Sequence, residues 1–254
     1  MSKAIVAIGG GDIRRRGTAA IDREIIRLSG KTRPKLLFIP TASYDAEEYW
    51  AHVQKYFGGF LRCKAEVLFL IRERPPHEEI RRKILAADVI YVGGGNTLKM
   101  IRLWRRLEVD RLLRLAYKNG TVLSGISAGA ICWFDSGHSD SMSFYNPQEW
   151  RYINVRGMGL LPGMFCPHYN SGTLGKARRK SFRGMIGRIG GVGIGLENNC
   201  AIEVVDGRFY KIIRSKPVAR AYRVCKQHGE VVVEQIPQTA RLQPLASLFD
   251  QRRG

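Results

Sequence analysis

Among the 254 residues, the stretch best suited to nucleophilic chemistry is Gly125-Ile126-Ser127-Ala128-Gly129. A serine that is to attack a carbonyl is best displayed on a sharp, strained turn, with no side chain two residues before or two after it. Gly125 and Gly129 fill those positions. The apolar Val122 and Leu123 precede the turn, and the small and apolar residues to Trp133 follow it, which predicts a strand, a tight turn and the start of a buried helix. Ser127 would then stand at the carboxyl end of the strand, near the positive end of the helix, where an oxyanion could be held.

A serine needs a base. Of the five histidines, His52 and His77 lie within or beside helical patterns and His228 in a late turn, which leaves His138 and His168. His168 follows Pro167 at the end of a short apolar run, so a stiff backbone aims it. It is the favoured base, with His138 as the alternative. Gly93-Gly94-Gly95-Asn96-Thr97 follows another apolar run. Its glycines let backbone N–H groups approach a ligand, and Asn96 or Thr97 can cap a helix. Taken alone, that loop is an ordinary capped turn.

The elements that must position these groups alternate along the chain. Strands are expected at Lys3 to Ile8, Leu36 to Ile39, Val67 to Ile71 and Asp88 to Val92, with the serine strand after them. Between them lie helical patterns: Ile21, Ile25 and Leu28; Tyr49 to Phe57; Ile80 and Ile84; Leu98 to Leu103; and Val109 to Lys118. Alternation of this kind predicts a mostly parallel sheet with helices on both faces. The polar run from Asp135 to Ser141 is expected to be a loop or hairpin, Ala177 to Ile189 an amphipathic helix, and the strand candidates from Gly193 to Gln235 a largely antiparallel carboxyl-terminal portion. Composition marks no linker, so residues 1–254 are taken as one α/β domain.

Composition excludes several classes. There is no run of 18 or more apolar residues, and Met1-Ser2-Lys3 leads straight into a strand pattern, which predicts a soluble, cytoplasmic protein. Five widely spaced cysteines without a C-x-x-C pair imply neither a disulfide framework nor a zinc site. Gly9-Gly10-Gly11 lacks the spacing of a dinucleotide fingerprint, so no cofactor is expected. The net charge of +20 is spread over Arg14 to Arg16, Arg81 to Lys83, Arg105 with Arg106, Arg178 to Lys180 and Arg252 with Arg253, without aromatic RNA-binding signatures. A solvated basic surface is favoured over nucleic acid as partner. A homo-oligomer stays open.

Gly93-Gly94-Gly95-Asn96-Thr97, Gly125-Ile126-Ser127-Ala128-Gly129-Ala130 and Cys166-Pro167-His168-Tyr169 together resemble, in the same order, the peptidase E (aspartyl dipeptidase) family and its relative cyanophycinase, which share the class I glutamine amidotransferase fold. The resemblance spans roughly Lys3 to Val205. It implies a serine peptidase acting on short peptides, with Ser127 as nucleophile, His168 as base, and an oxyanion hole formed by Gly94, Gly95 and the N–H of Ala128. It also implies a pocket for an amino-terminal Asp residue that includes Asn96 and Arg178. The family's third triad member is a Glu after a Gly-Leu strand end. Here Asn198 falls at that place and Glu197 one residue earlier, while Asp140 lies near a family Asp. Asp140 is slightly favoured as catalytically important, with Glu197 nearly equal as the orienter of the histidine. Ser127 in place of Cys at the turn argues against glutamine amide transfer. A hydrolase of an acidic peptide polymer, or an inactive or nucleic-acid-binding member of the fold, are the alternatives.

Overall fold

A computed structural model describes residues 3–250. Met1, Ser2, Arg252 and Arg253 lie outside them. Ala4–Ile8 (β1) is buried at every residue, as expected of a parallel strand covered on both faces. After Ala19–Leu28 (α1) come Lys35–Ile39 (β2), Glu47–Val53 (α2, continued as a π-helix over Gln54–Phe60) and Lys64–Val67 (β3). Then follow His77–Ala86 (α3), Val89–Val92 (β4), Thr97–Arg106 (α4), Val109–Lys118 (α5), Val122–Ile126 (β5) and Ala128–Ile131 (α6). The next elements are Phe134–Ser139 (β6), Ile153–Arg156 (β7), Leu161–Cys166 (β8), the short pair Gly172–Thr173 (β9) and Lys176–Ala177 (β10), and Arg178–Ile189 (α7). The chain closes with Val192–Leu196 (β11), Cys200–Val205 (β12), Phe209–Arg214 (β13), Ala221–Gln227 (β14), Glu230–Ile236 (β15), Gln243–Pro244 (β16) and Ala246–Phe249 (α8).

The principal sheet has the order β16-β13-β12-β1-β5-β4-β2-β3. Its β1, β5, β4, β2 and β3 are parallel, and β12 joins the free edge of β1 antiparallel. Ile21, Ile25, Val53 and Phe57 cover one face. Ile84, Met100, Trp104 and Leu113 cover the other, in a core that continues into a second sheet through Phe165, Ile194 and Leu196. That second sheet, β15-β14-β11-β8-β6-β7, carries α7 on its far side, where Phe182, Met185 and Ile186 pack with Trp150 and Tyr169.

Three expectations differ from what is observed. The polar run from Asp135 to Ser141, expected as a loop or hairpin, supplies most of β6, which has an antiparallel partner in β7 but is also held against β8 as an interior strand, by ladders that compensate for poor strand formers. The third strand lies at Lys64–Val67, not Val67–Ile71. Its ladder ends where Leu68 N–H donates to Phe38, and Leu68 to Leu70 are buried in the loop beyond. The helix after the serine is a single turn, so few aligned peptide dipoles stand behind Ser127. Among the described residues, no helix is long and apolar enough to cross a membrane.

Candidate active site

Ser127 is half-buried at the carboxyl end of β5, with φ 56° and ψ −113°. Such a conformation costs a non-glycine residue roughly 1–3 kcal/mol and persists only where its surroundings enforce it. Its N–H donates to the Ile8 carbonyl at 3.1 Å, and its own carbonyl accepts from Ala130 and Ile131. A β-carbon on Gly125 would collide with the Gly129 carbonyl, and one on Gly129 with the Val92 carbonyl. The spacing of the two glycines is thus a packing requirement of the turn.

His168 reaches the same sheet edge from the end of β8. Its N–H donates to the Gly9 carbonyl at 2.8 Å, and its φ of 49° turns the ring back over β1. The ring lies where a side chain on Gly10 would have to be: a β-carbon there would strike His168 Nδ1 and Asn198 Oδ1. Nδ1 and Oδ1 are 2.6 Å apart. An amide oxygen can only accept, so Nδ1 carries the proton and Nε2 is left with a lone pair. Asn199 N–H in turn donates to the Gly10 carbonyl at 2.7 Å. Three successive carbonyls, of Ile8, Gly9 and Gly10, therefore hold the serine, the histidine and the loop bearing Asn198. The triple glycine, which matched no nucleotide fingerprint, is the bracket of the site. Burial holds the His168 pKa below its ordinary value, and the Arg178 charge adds to the depression, against an opposing pull from the Asn198 hydrogen bond and the Asp140 charge.

The two carboxylates are engaged elsewhere. Asp140 accepts from Arg178 Nη2 and from the Thr173 hydroxyl, both at 2.7 Å. Glu197 accepts from Arg179, from the Tyr222 hydroxyl and from the Arg220 backbone. The hydrogen-bond partner of the His168 ring is Asn198, a residue the charge-based reading passed over because an acid stood beside it. His138, the alternative base, is wholly buried in β6. It stacks on Tyr152 at 4.3 Å and pairs through Nε2 with Ser181 at 2.9 Å, and burial with the Arg178 charge pushes its pKa down to about 3.

The glycine loop sits opposite the serine. A β-carbon on Gly94 would be 3.3 Å from that of Ser127. Asn96, fully buried, accepts from Lys99 N–H and so caps α4. Sequence reasoning assigned Tyr49 to packing, yet its ring borders the glycine loop at Gly93, and burial pushes its pKa up to about 12, so it keeps its proton to donate. Tyr49, Tyr91, Ile126 and Gly11 line a cavity of about 460 Å³ on this side of the turn. Arg178 is 2% exposed, with Nε unpartnered, and lines a second cavity of about 540 Å³ with Tyr169 and Arg179. Asp140 is joined to α4 by its neighbours: the Ser141 hydroxyl accepts from Leu98 N–H, and Ser139 donates to Thr97.

Comparison with known proteins places the chain. Residues 5–212 match peptidase family S51, and the chain belongs to that family. It is thus a peptidase. An uncharacterized peptidase of Bacillus subtilis, YgaJ, is 34% identical over 239 residues, covering 92% of this chain and 97% of its own. A peptidase E of Shewanella denitrificans is 29% identical over 151 residues, 58% of this chain and 59% of that one. Two solved structures share the fold: a peptidase from an acI-B1 actinobacterium, with TM-score 0.74, 17% identity and 96% and 97% of the two chains covered, and a putative peptidase E from Listeria monocytogenes, with TM-score 0.60, 19% identity and 93% and 100% covered.

Proposed function

We propose that this peptidase is a serine enzyme in which Ser127 is the nucleophile, His168 the general base and Asn198 the group that orients the imidazole. The observation that carries this reading is the convergence of Ser127 and His168 on consecutive carbonyls of one strand end, with Nδ1 of the histidine committed to an amide oxygen. Nε2 then accepts the Ser127 proton as Oγ bonds to the peptide carbonyl carbon. The carbonyl electrons move to oxygen, which the N–H of Ala128 and the Gly94–Gly95 loop stabilise with the Tyr49 hydroxyl beside them. As the C–N bond breaks, His168 returns the proton to the leaving amine. Water, deprotonated by the same nitrogen, then releases the acyl group.

Arg178 and Asn96 suit the pocket of a short peptide with an amino-terminal Asp. Arg178 is held by Asp140 and Thr173, and its remaining Nε–H can meet a carboxylate. The test is a fluorophosphonate probe together with turnover of Asp-Leu and Leu-Leu dipeptides. The parent should be labelled and should prefer Asp-Leu. Ser127→Ala should lose labelling and roughly 10⁴-fold or more in kcat with an unchanged melting temperature. Equal labelling of both proteins would remove Ser127 from the mechanism, and equal turnover of the two dipeptides would remove the acidic preference.

A further inference from the structure

A cavity of about 710 Å³ lies beyond the catalytic residues, between α4 and the loop that follows β3. Arg74, Lys99, Arg102 and Arg106 line it over a floor that includes Leu70 and Leu103, and no carboxylate takes part. None of the three arginines has an ion-pair or hydrogen-bond partner for its side chain among the described residues. Lys99 lies over the Tyr44 ring at 3.7 Å. In a chain with 22 carboxylates, several of which already neutralise other arginines, four cations gathered without one are an unusual arrangement. Lys99, Arg102 and Arg106 follow one helix face and span about 10 Å along the axis.

The helix that lines this cleft starts at the glycine loop that faces the proposed nucleophile. Lys99 N–H is capped by Asn96, next to the Gly93–Gly95 loop, and the Asn96 side chain donates to Tyr44 at 3.5 Å. The cleft opens at the carboxyl edge of the same sheet, over β3, which is three strands from β5. Three inter-strand steps of about 4.8 Å make roughly 14 Å, the reach of about four extended residues. We infer that the cleft is a docking site for an acidic stretch of peptide, begun about four residues from the bond cleaved at Ser127. The link to cleavage rests on the serine-peptidase reading. A polyanion would satisfy the four charges, and the apolar floor would take the side-chain stems. A single nucleic-acid strand would need successive aromatic platforms, whereas the cleft has one aromatic, Tyr145.

The experiment measures fluorescence anisotropy of labelled hexaglutamate with the parent, with Ser127→Ala, with Arg102→Glu/Arg106→Glu and with Arg102→Lys/Arg106→Lys. Both arginines are exposed, so the pairs should melt with the parent. The glutamate pair is expected to bind at least tenfold more weakly, while the lysine pair and Ser127→Ala stay within about threefold of the parent. Indifference of binding to the glutamate pair would overturn the assignment. So would an oligothymidylate of equal charge that binds more tightly than hexaglutamate and loses that binding in the same pair. Because binding is read without turnover, a failure of Ser127 in the probe experiment leaves this result interpretable by itself.

Discussion

Two histidines stand at neighbouring places in one sheet, His138 inside β6 and His168 just past the end of β8, and their surroundings differ in kind. Both are pushed towards the neutral form by burial and by the same arginine. His138 is enclosed by Tyr152 and Phe182, with Ser181 on Nε2 and Cys166 on the other side. His168 is half-buried at the sheet edge, held by the backbone of another strand, with Nδ1 occupied and Nε2 not. A depressed pKa alone therefore does not mark a base. What separates the two is which nitrogen is committed and whether the other has somewhere to send a proton.

Exchanging the two should give the largest contrast. His168→Ala is expected to cost roughly 10⁴-fold in kcat with little change in melting. His138→Ala is expected to keep turnover within about tenfold while losing about 2–4 kcal/mol of stability, as large-to-small core changes do. Denaturant titration beside dipeptide kinetics reads both, and similar kinetic losses would erase the distinction. Acid should sharpen it. With its folded pKa near 3, His138 binds a proton in the unfolded chain from about pH 6.5 downward, but in the folded protein only near pH 3. Stability due to its neutral state is thus complete above pH 6.5 and lost as pH falls towards 3.

A smaller effect concerns the amide beside His168. Asn198→Asp supplies a charge that favours the imidazolium, so the acid limb of the kcat/KM profile should move to higher pH by about one unit, the ordinary result of an opposite charge at hydrogen-bond distance. Asn198→Ala should lower kcat by about 10²-fold or more without that shift. An unchanged limb in Asn198→Asp would mean that the 2.6 Å contact does not govern the titrating group. Smallest in rate is the pair of carboxylates. Glu197→Gln and Asp140→Asn should each remain within about tenfold in kcat. Asp140→Asn should nonetheless lose about 3–5 kcal/mol, because it strips a buried guanidinium of its partner. A fall of several powers of ten in kcat for either variant would restore that carboxylate to the catalytic group.

The elbow, the histidine after Pro167 and the capped glycine loop were legible because each depends on local backbone rules: no β-carbon at Gly125 and Gly129, a fixed turn, an Asn at the helix start. The resemblance put Asn198 at the third position, but its pairing with the His168 ring was not legible. Glu197 and Asn198 follow β11 in succession as the chain enters a turn, and their side chains find different partners. Glu197 meets Arg179 and the Arg220 backbone, Asn198 meets His168, and charge alone favours the former. The run from Asp135 to Ser141 reads as a loop or hairpin and not as an interior strand because Asp135, Ser136 and Gly137 have no intrinsic preference for one. Its pairing with β7 and β8 is a long-range decision.

The three carbonyls at the end of β1 join residues more than about 100 positions apart in the chain. Contacts of that separation require large loops to close before they yield any stabilisation. The parallel half of the sheet can thus be assembled while the candidate site remains unmade. Only when later segments bring His168 to Gly9 and Asn199 to Gly10 and lay β12 along β1 are Ser127, His168 and Asn198 registered against one another. During synthesis the chain would therefore not bring these three residues together until most of it had left the ribosome.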